Sequence, residues 1–457
     1  MHTPRTGRFG VALACVVGLI AAPGGRSALA EAPRGYEAIE RLLSPLPTVR
    51  ARASAELAAA RDAGLVPGIV DALFFVPKAQ RGEAVQALRH LTGADAGERY
   101  LDWVDIVMRH PEWRGGDGYA AWKAALFARI DPCFGKLLAS APVRLRLEEV
   151  VFGGVGCEGI PSLDGPRHGP ASAGGWLREE ERVFGATLGG ASRAYPESIL
   201  SWHEMLNDEL GGQAMTLSYC TLCGSAILFA GEVGGRRLTF GTSGLLYRSN
   251  KLMVDRATHT LWHNLTGEAV LGPLAERPER LRMLPLTATT WGDWRRRHPE
   301  TTVLIPDRLV ERALGFEYRP GAGGERRRGV RFPVGGSSTR LPESAEIYGL
   351  RNGAAAKAYL VSALVATGVV NDQIADLTLV VLADGASGAI RAYRRARHVF
   401  ALDLNRRLLD ERGEVWQMEE SVLTGPDHEH LERLPGTLAF WRGWFGFFPH
   451  TDVYGQP

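Results

Sequence analysis

The sequence predicts an α+β protein: an N-terminal all-helical domain followed by two repeated, mainly β units packed as pseudo-symmetric halves. Three observations predict it. Apolar residues recur at helical spacing up to about residue 150, strand alternation with Gly-Gly turns takes over beyond it, and the β-rich part contains an ordered internal repeat. A chain of 457 residues has room for two or three domains at ~100 to 200 residues each. Hydrophobic residues at 45% and charged residues at 23% are globular values, which excludes extended disorder and coiled coil.

The first thirty residues read as an export signal. Arg5 and Arg8 precede an apolar run from Val11 to Ala22, and Ala28-Leu29-Ala30 satisfies the small-residue cleavage rule, so removal is expected before Glu31. Most of the apolar run follows Cys15, the wrong side for lipid attachment. The run is also too short to span a bilayer, and no later stretch approaches the ~20 apolar residues a membrane helix needs. A periplasmic or secreted location without a transmembrane segment is therefore expected. Cleavage removes Arg5, Arg8 and Arg26 and no acid, which takes 53 basic residues to 50 against 51 acidic ones. The arginines are scattered rather than gathered in a stripe, so no nucleic-acid partner is expected.

Residues 31–150 form the predicted helical domain. Ala53, Leu57 and Ala60, then Val85, Leu88 and Leu91, mark five or six short helices with Pro and Gly between them. Residues 151–318 form the predicted first β unit. Arg182 to Ala186 and Ser192 to Tyr195 flank Gly189-Gly190 as a hairpin, with further Gly-Gly turns at 211–212 and 234–235. Pro196, Glu197 and the stripe Ile199, Trp202/His203, Leu206 and Leu210 predict an amphipathic helix ended by Gly211-Gly212. A second short helix is predicted over Thr290 to Arg297. The Gly- and Arg-rich stretch 319–344 reads as a solvated linker, and 345–457 as the second unit.

The repeat shows when the chain is slid along itself. Ala194-Tyr195 and Asn207-Asp208 recur as Ala358-Tyr359 and Asn371-Asp372. Leu284-Pro285, Trp291, Trp294, Pro299, Thr301 and Val303 recur as Leu434-Pro435, Trp441, Trp444, Pro449, Thr451 and Val453, with Trp262 matching Trp416 and Gly272-Pro273 matching Gly425-Pro426. The potential ligands do not recur. Cys220 faces Asp384, Cys223 faces Ser387, His203 faces Thr367 and His263 faces Gln417, so the chemistry is expected in the first unit alone.

Four cysteines remain after cleavage, an even number for an oxidising compartment. Cys133 and Cys157 are the expected structural bridge. Cys220 and Cys223 form a Cys-x-x-Cys at a strand-end turn, a spacing that suits either one soft metal ion or a redox disulfide. The chain has no second such pair for a four-cysteine zinc site. The leading expectation is copper, with zinc as the other metal these ligands take, held by Cys220, Cys223 and His203 in an exported metalloprotein open to oxidoreductase chemistry. Tyr219, Ser243, Tyr247 and Asp255 are candidate catalytic residues that would supply protons or hydrogen bonds. The alternatives are a thiol-disulfide oxidoreductase with Cys220 as nucleophile, and a binding module for an unidentified small molecule or protein partner. A hydrolase finds no support, since no G-x-S-x-G is present.

Trp202-His203-Glu204 with Asn207-Asp208, then Tyr219-Cys220-Thr221-Leu222-Cys223-Gly224-Ser225, then Phe240-Gly241-Thr242-Ser243-Gly244-Leu245-Leu246-Tyr247 with Met253, Asp255-Arg256 and Leu261-Trp262, resemble the bacterial family catalogued as domain of unknown function 3179. The resemblance runs from about Gly159 to Tyr454. It implies exported proteins with this paired-cysteine signature and no settled activity. Thr221 stands where the family usually has Pro, and His263-Asn264 where it more often has Ser-Gln, which weakens His263 as a ligand.

Overall fold

The computed structural model describes residues 35–277, 279–308, 311–312, 315–318 and 332–456. The expected export signal and most of the expected linker lie outside the described residues. Among the described residues, no helix is long and apolar enough to cross a membrane. The architecture is mixed α+β, with a helical N-terminal region and a β-rich remainder.

Seven α-helices fill the first region: Tyr36–Arg41, Pro47–Ala60, Val66–Phe75, Gly82–Thr92, Tyr100–Arg109, Tyr119–Phe127 and Pro132–Leu138. Proline opens the second and seventh, where its missing N–H is no loss. The switch to strands near residue 150 is where the sequence puts it, but the core does not change there. Buried residues from Tyr36 to Leu147 pack in one cluster with Val150, Leu245, Tyr247, Leu252, Leu261 and Leu271 of a five-stranded sheet. Lys123, fully buried, pairs with Asp71 at 3.1 Å and donates to the carbonyls of Leu147 and Val150 at 2.8 Å each, tying helix to strand.

That sheet runs Val150–Phe152, Phe240–Tyr247, Asn250–Asp255, Leu261–His263, Ala269–Leu271. Two further five-stranded sheets complete the middle of the chain. One has Leu163–Asp164, Met205–Leu210, Gln213–Cys220, Ser225–Ala230 and Met283–Leu284 in order. The other has His168–Pro170, Thr302–Leu304, Ala191–Pro196, Arg182–Leu188 and Thr287–Thr290. Beyond residue 345, a four-stranded sheet carries Thr437–Phe440, Glu346–Asn352, Ala355–Leu360 and Asp452–Tyr454. An eight-stranded sheet begins with Val369–Ile374, Leu377–Ala383, Ile390–Arg394 and His430–Leu434.

Two features differ from the sequence reading: the N-terminal region holds seven α-helices rather than five or six, and one predicted helix is partly strand. The helix after Pro196 covers only Glu197–His203, and Met205–Leu210 is a strand. Glu204 ends the helix at φ 56°, a left-handed conformation that reverses the chain, after which Leu206 and Leu210 fall on the strand's buried face. Their spacing suits a helical stripe equally well, so periodicity alone misassigned them. The second short helix, Trp291–Arg297, lies where expected, with Thr290 as its cap.

Candidate functional site

Cys220 is the last residue of its strand and pairs with Ser225 across a tight turn, so residues 221–224 bring Cys223 back over it. Gly224 closes the turn at φ +59°, and a Cβ there would lie 2.8 Å from the Phe440 ring. The Cys223 carbonyl accepts from the Phe440 N–H at 2.7 Å. The turn is thus clamped from outside by the C-terminal region.

The two sulfurs are 2.8 Å apart and both side chains are buried, with Cys220 1% and Cys223 0% exposed. Their environments differ. Burial works to raise the Cys220 thiol, but the S–H bond from Cys223 and the nearby Lys251 ammonium overcome it, and it titrates below the ordinary thiol value. Burial and the neighbouring sulfur push Cys223 well above that value. The Asn250 amide donates to the Cys223 sulfur at 2.9 Å.

Lys251 is the site residue that sequence reasoning missed. Its ammonium, 4% exposed, donates to the carbonyls of Tyr219 at 2.7 Å and Glu204 at 2.5 Å, and lies 3.7 Å from the Glu204 carboxylate. Burial lowers its pKa, while Glu204 and both sulfurs favour the charged form. The available signal was its rarity: Lys251 is one of five Lys among 53 basic residues, and it sits inside a fully buried strand.

Cys220, Lys251, Glu204 and Thr221 line a cavity of about 340 Å³, walled by Leu222, Leu245 and Leu246. The wall is the irregular stretch of Phe240–Tyr247, whose register shifts between Thr242 and Leu246. Cys133 and Cys157 are disulfide-bonded, and Asp131 accepts from the N–H of both. This anchors the segment carrying Gly153, Val155 and Ile160, which lines the cavity, to the helices. A larger cavity of about 720 Å³ lies between the helices and residues 333–343, but its lining holds neither cysteine nor histidine.

The expected metal set does not come together. The His203 ring nitrogens are engaged with the Pro161 carbonyl at 2.7 Å and the Tyr318 hydroxyl, and among the described residues no three-ligand group includes the thiols. The sulfurs are also too close: two thiolates on one tetrahedral ion at ~2.3 Å stand about 3.8 Å apart. Cys220, Cys223 and His203 therefore do not fit copper or zinc as arranged.

The catalytic candidates do not line the cavity either. The Tyr219 hydroxyl donates to Glu197 at 2.6 Å, and the Ser243 hydroxyl donates to the Leu252 carbonyl at 2.7 Å, bracing the strand irregularity. Tyr247 stacks on His263, and burial with the Glu149 carboxylate pushes its phenol up to about 12. Asp255, 0% exposed, accepts from the N–H groups of Thr258 and Thr260 and from the Trp262 indole at 2.9 Å. It holds a turn.

The family model for proteins of unknown function DUF3179 matches residues 157–451, and the chain belongs to that family. No curated protein and no solved structure matches it.

Proposed function

We propose that this member of the DUF3179 family is a dithiol-disulfide oxidoreductase acting on a small disulfide, with Cys220 as nucleophile and Cys223 as resolving thiol. The observation that carries the reading is the asymmetry of the pair: one thiol lowered beside a buried ammonium and facing a cavity, the other raised and backed by Asn250. The Cys220 thiolate attacks one sulfur of the substrate, the substrate S–S bond breaks, and the departing thiolate takes the Cys223 proton. The Cys223 thiolate then attacks Cys220 Sγ, closing the protein disulfide and releasing the second substrate thiolate. Two electrons pass to the substrate, and an external dithiol restores the pair.

The helix N-terminus that lowers thiol pKa in many redox proteins is replaced here by Lys251. The leader read from the first thirty residues would place the pair in an oxidising compartment. Incubating the anaerobically reduced chain with a small disulfide tests the proposal. Cys223→Ser is expected to trap a mixed disulfide on Cys220, and Cys220→Ser to abolish turnover. Stoichiometric copper or zinc in anaerobically purified protein that is lost in Cys223→Ser, with no mixed disulfide, would overturn it.

We also propose that the two β-rich parts are copies of one unit related by pseudo-symmetry. Matching strand pairings and hydrogen bonds support this. Gly185 pairs with Ala194 beneath the Trp294 ring, and Gly349 with Ala358 beneath Trp444. Asn207 exchanges two hydrogen bonds with the backbone of Phe240, and Asn371 does the same with Phe400. The Trp262 indole donates to Asp255, and the Trp416 indole to Asp410. In an experimental structure, superposing 182–304 on 346–454 should lay Trp291 on Trp441 and Trp262 on Trp416. Unrelated placements would end the duplication argument.

A further inference from the structure

His398, Asp410 and Glu411 flank the last strands of the eight-stranded sheet, a different sheet from the one that ends at Cys220. One ring nitrogen of His398 and one carboxylate oxygen from each of the acids lie within 4.8 Å of one another. His398 is 2% exposed, and its Nδ1 is buried with no hydrogen-bond partner; the nearest carboxylate oxygen, Glu411 Oε1, is 3.5 Å away. On the other side of the ring, Nε2 faces both oxygens of Glu429 at 3.1 Å. With Nε2 engaged by Glu429, Nδ1 is the ring atom that faces Glu411. A histidine whose second nitrogen is held by a carboxylate is the usual arrangement of a metal-ligating imidazole.

The acids are poised in the same sense. Glu411 Oε2 accepts from the Val399 N–H at 3.0 Å, which fixes the carboxylate with Oε1 toward the ring. Asp410 accepts from the N–H groups of Arg412 and Glu414 at Oδ1 and from the Trp416 indole at Oδ2, which leaves one lone pair, on Oδ2, for an ion. Imidazole and carboxylate ligands ~2.1 Å from one tetrahedral ion stand about 3.4 Å apart, close to the 3.5 Å between His398 Nδ1 and Glu411 Oε1.

The first β-rich part provides a contrast. Two residues before Phe240, in the place His398 has relative to Phe400, stands the buried Leu238, and after Asp255 stands Arg256, paired to Glu158 and Asp164. The indole-holding aspartate is present in both parts. The histidine and the glutamate beside it are present in one, so the turn needs Asp410 but not them.

We propose that His398, Asp410 and Glu411 form a zinc site, with Glu429 orienting the imidazole. The ion joins the segment before the strand Ala401–Leu402 to the turn before Val415–Met418, stapling the sheet's outer strands, and three protein ligands leave a position open to water. Calorimetric titration of the full chain with zinc chloride alone tests this, both in the wild type and in Cys220→Ser/Cys223→Ser, which removes the thiolates as competitors. One zinc per chain is expected in each. Glu411→Gln, which keeps an amide oxygen for the Val399 N–H, should weaken that event at least tenfold, and Glu429→Gln by about ten- to a hundredfold. X-ray absorption should find only nitrogen and oxygen around the ion. The absence of that binding event, an affinity unchanged in Glu411→Gln, or sulfur in the coordination shell of the wild type would overturn the proposal.

Discussion

Two strand-end turns, Cys220 to Ser225 and Ala383 to Ile390, lie one in each of the two β-rich parts. In the second, Ser387 donates to Asp384 at 3.0 Å, and Asp384 accepts the Ala386 N–H: a self-sufficient polar turn with its hydrogen bonds made locally. In the first, the turn side chains are two buried thiols, Cys220 beside Lys251, while the Phe440 ring covers Gly224. The surrounding scaffold makes the same indole, asparagine and glycine contacts in both. Backbone support is thus separable from the side chains placed on it, and what sets the first turn apart is the set of groups folded against it.

The largest expected effect breaks the comparison at the sulfur. Cys220→Ser should reduce disulfide reduction below detection, while Asp384→Cys/Ser387→Cys, which installs the thiol pair in the second turn, should give thiols that alkylate with an ordinary midpoint of about 8.5. A lowered midpoint in that variant would mean that the turn itself activates a thiol, contrary to the role given to Lys251. Next come the scaffolds. Trp294→Ala and Trp444→Ala each empty the ring space over a strand glycine and should cost about 3 to 5 kcal/mol in urea unfolding. A near-neutral value for either would show that the two parts are not built alike.

Lys251→Met sharpens the comparison within the first turn. Loss of the ammonium should raise the pH midpoint of Cys220 alkylation, and an unchanged midpoint would remove Lys251 from the site. The smallest effect is a change of pH dependence. Burial lowers the His263 imidazole from 6.5 to about 4, so between those values the unfolded chain binds the extra proton, and stability falls as pH falls from 6.5 toward 4. His263→Gln, which copies the residue after Trp416, should flatten that slope in denaturant titrations at several pH values. A slope equal to wild type would assign the loss to other groups.

Much of this molecule was legible in the sequence because it is written in short-range pattern. The change from helical to strand spacing near residue 150, the Gly-Gly hairpins, the cap at Thr290 and the paired cysteines at a strand end all depend on residues close in the chain. The recurrent Trp262, Trp291, Trp416, Trp441 and Trp444 are all buried. The family followed from the same local motifs.

Tertiary structure alone decided the rest. Leu206 and Leu210 fit a helix by spacing, and only the left-handed Glu204 with the pairing of Leu206 to Leu217 made them strand. His203 lay on a buried stripe in the sequence, but which partner its ring meets depended on Tyr318, 115 residues away. Lys251 reaches the thiols and Phe440 the backbone of their turn from other sheets, and the helical region shares its core with the strands through Lys123 and Asp71. Local sequence selects backbone conformation, because dihedral preferences and side-chain periodicity act over a few residues. The protonation and ligation of a buried side chain are set by whichever charges and dipoles are folded against it, and for Cys220, Cys223 and His203 those come from distant segments.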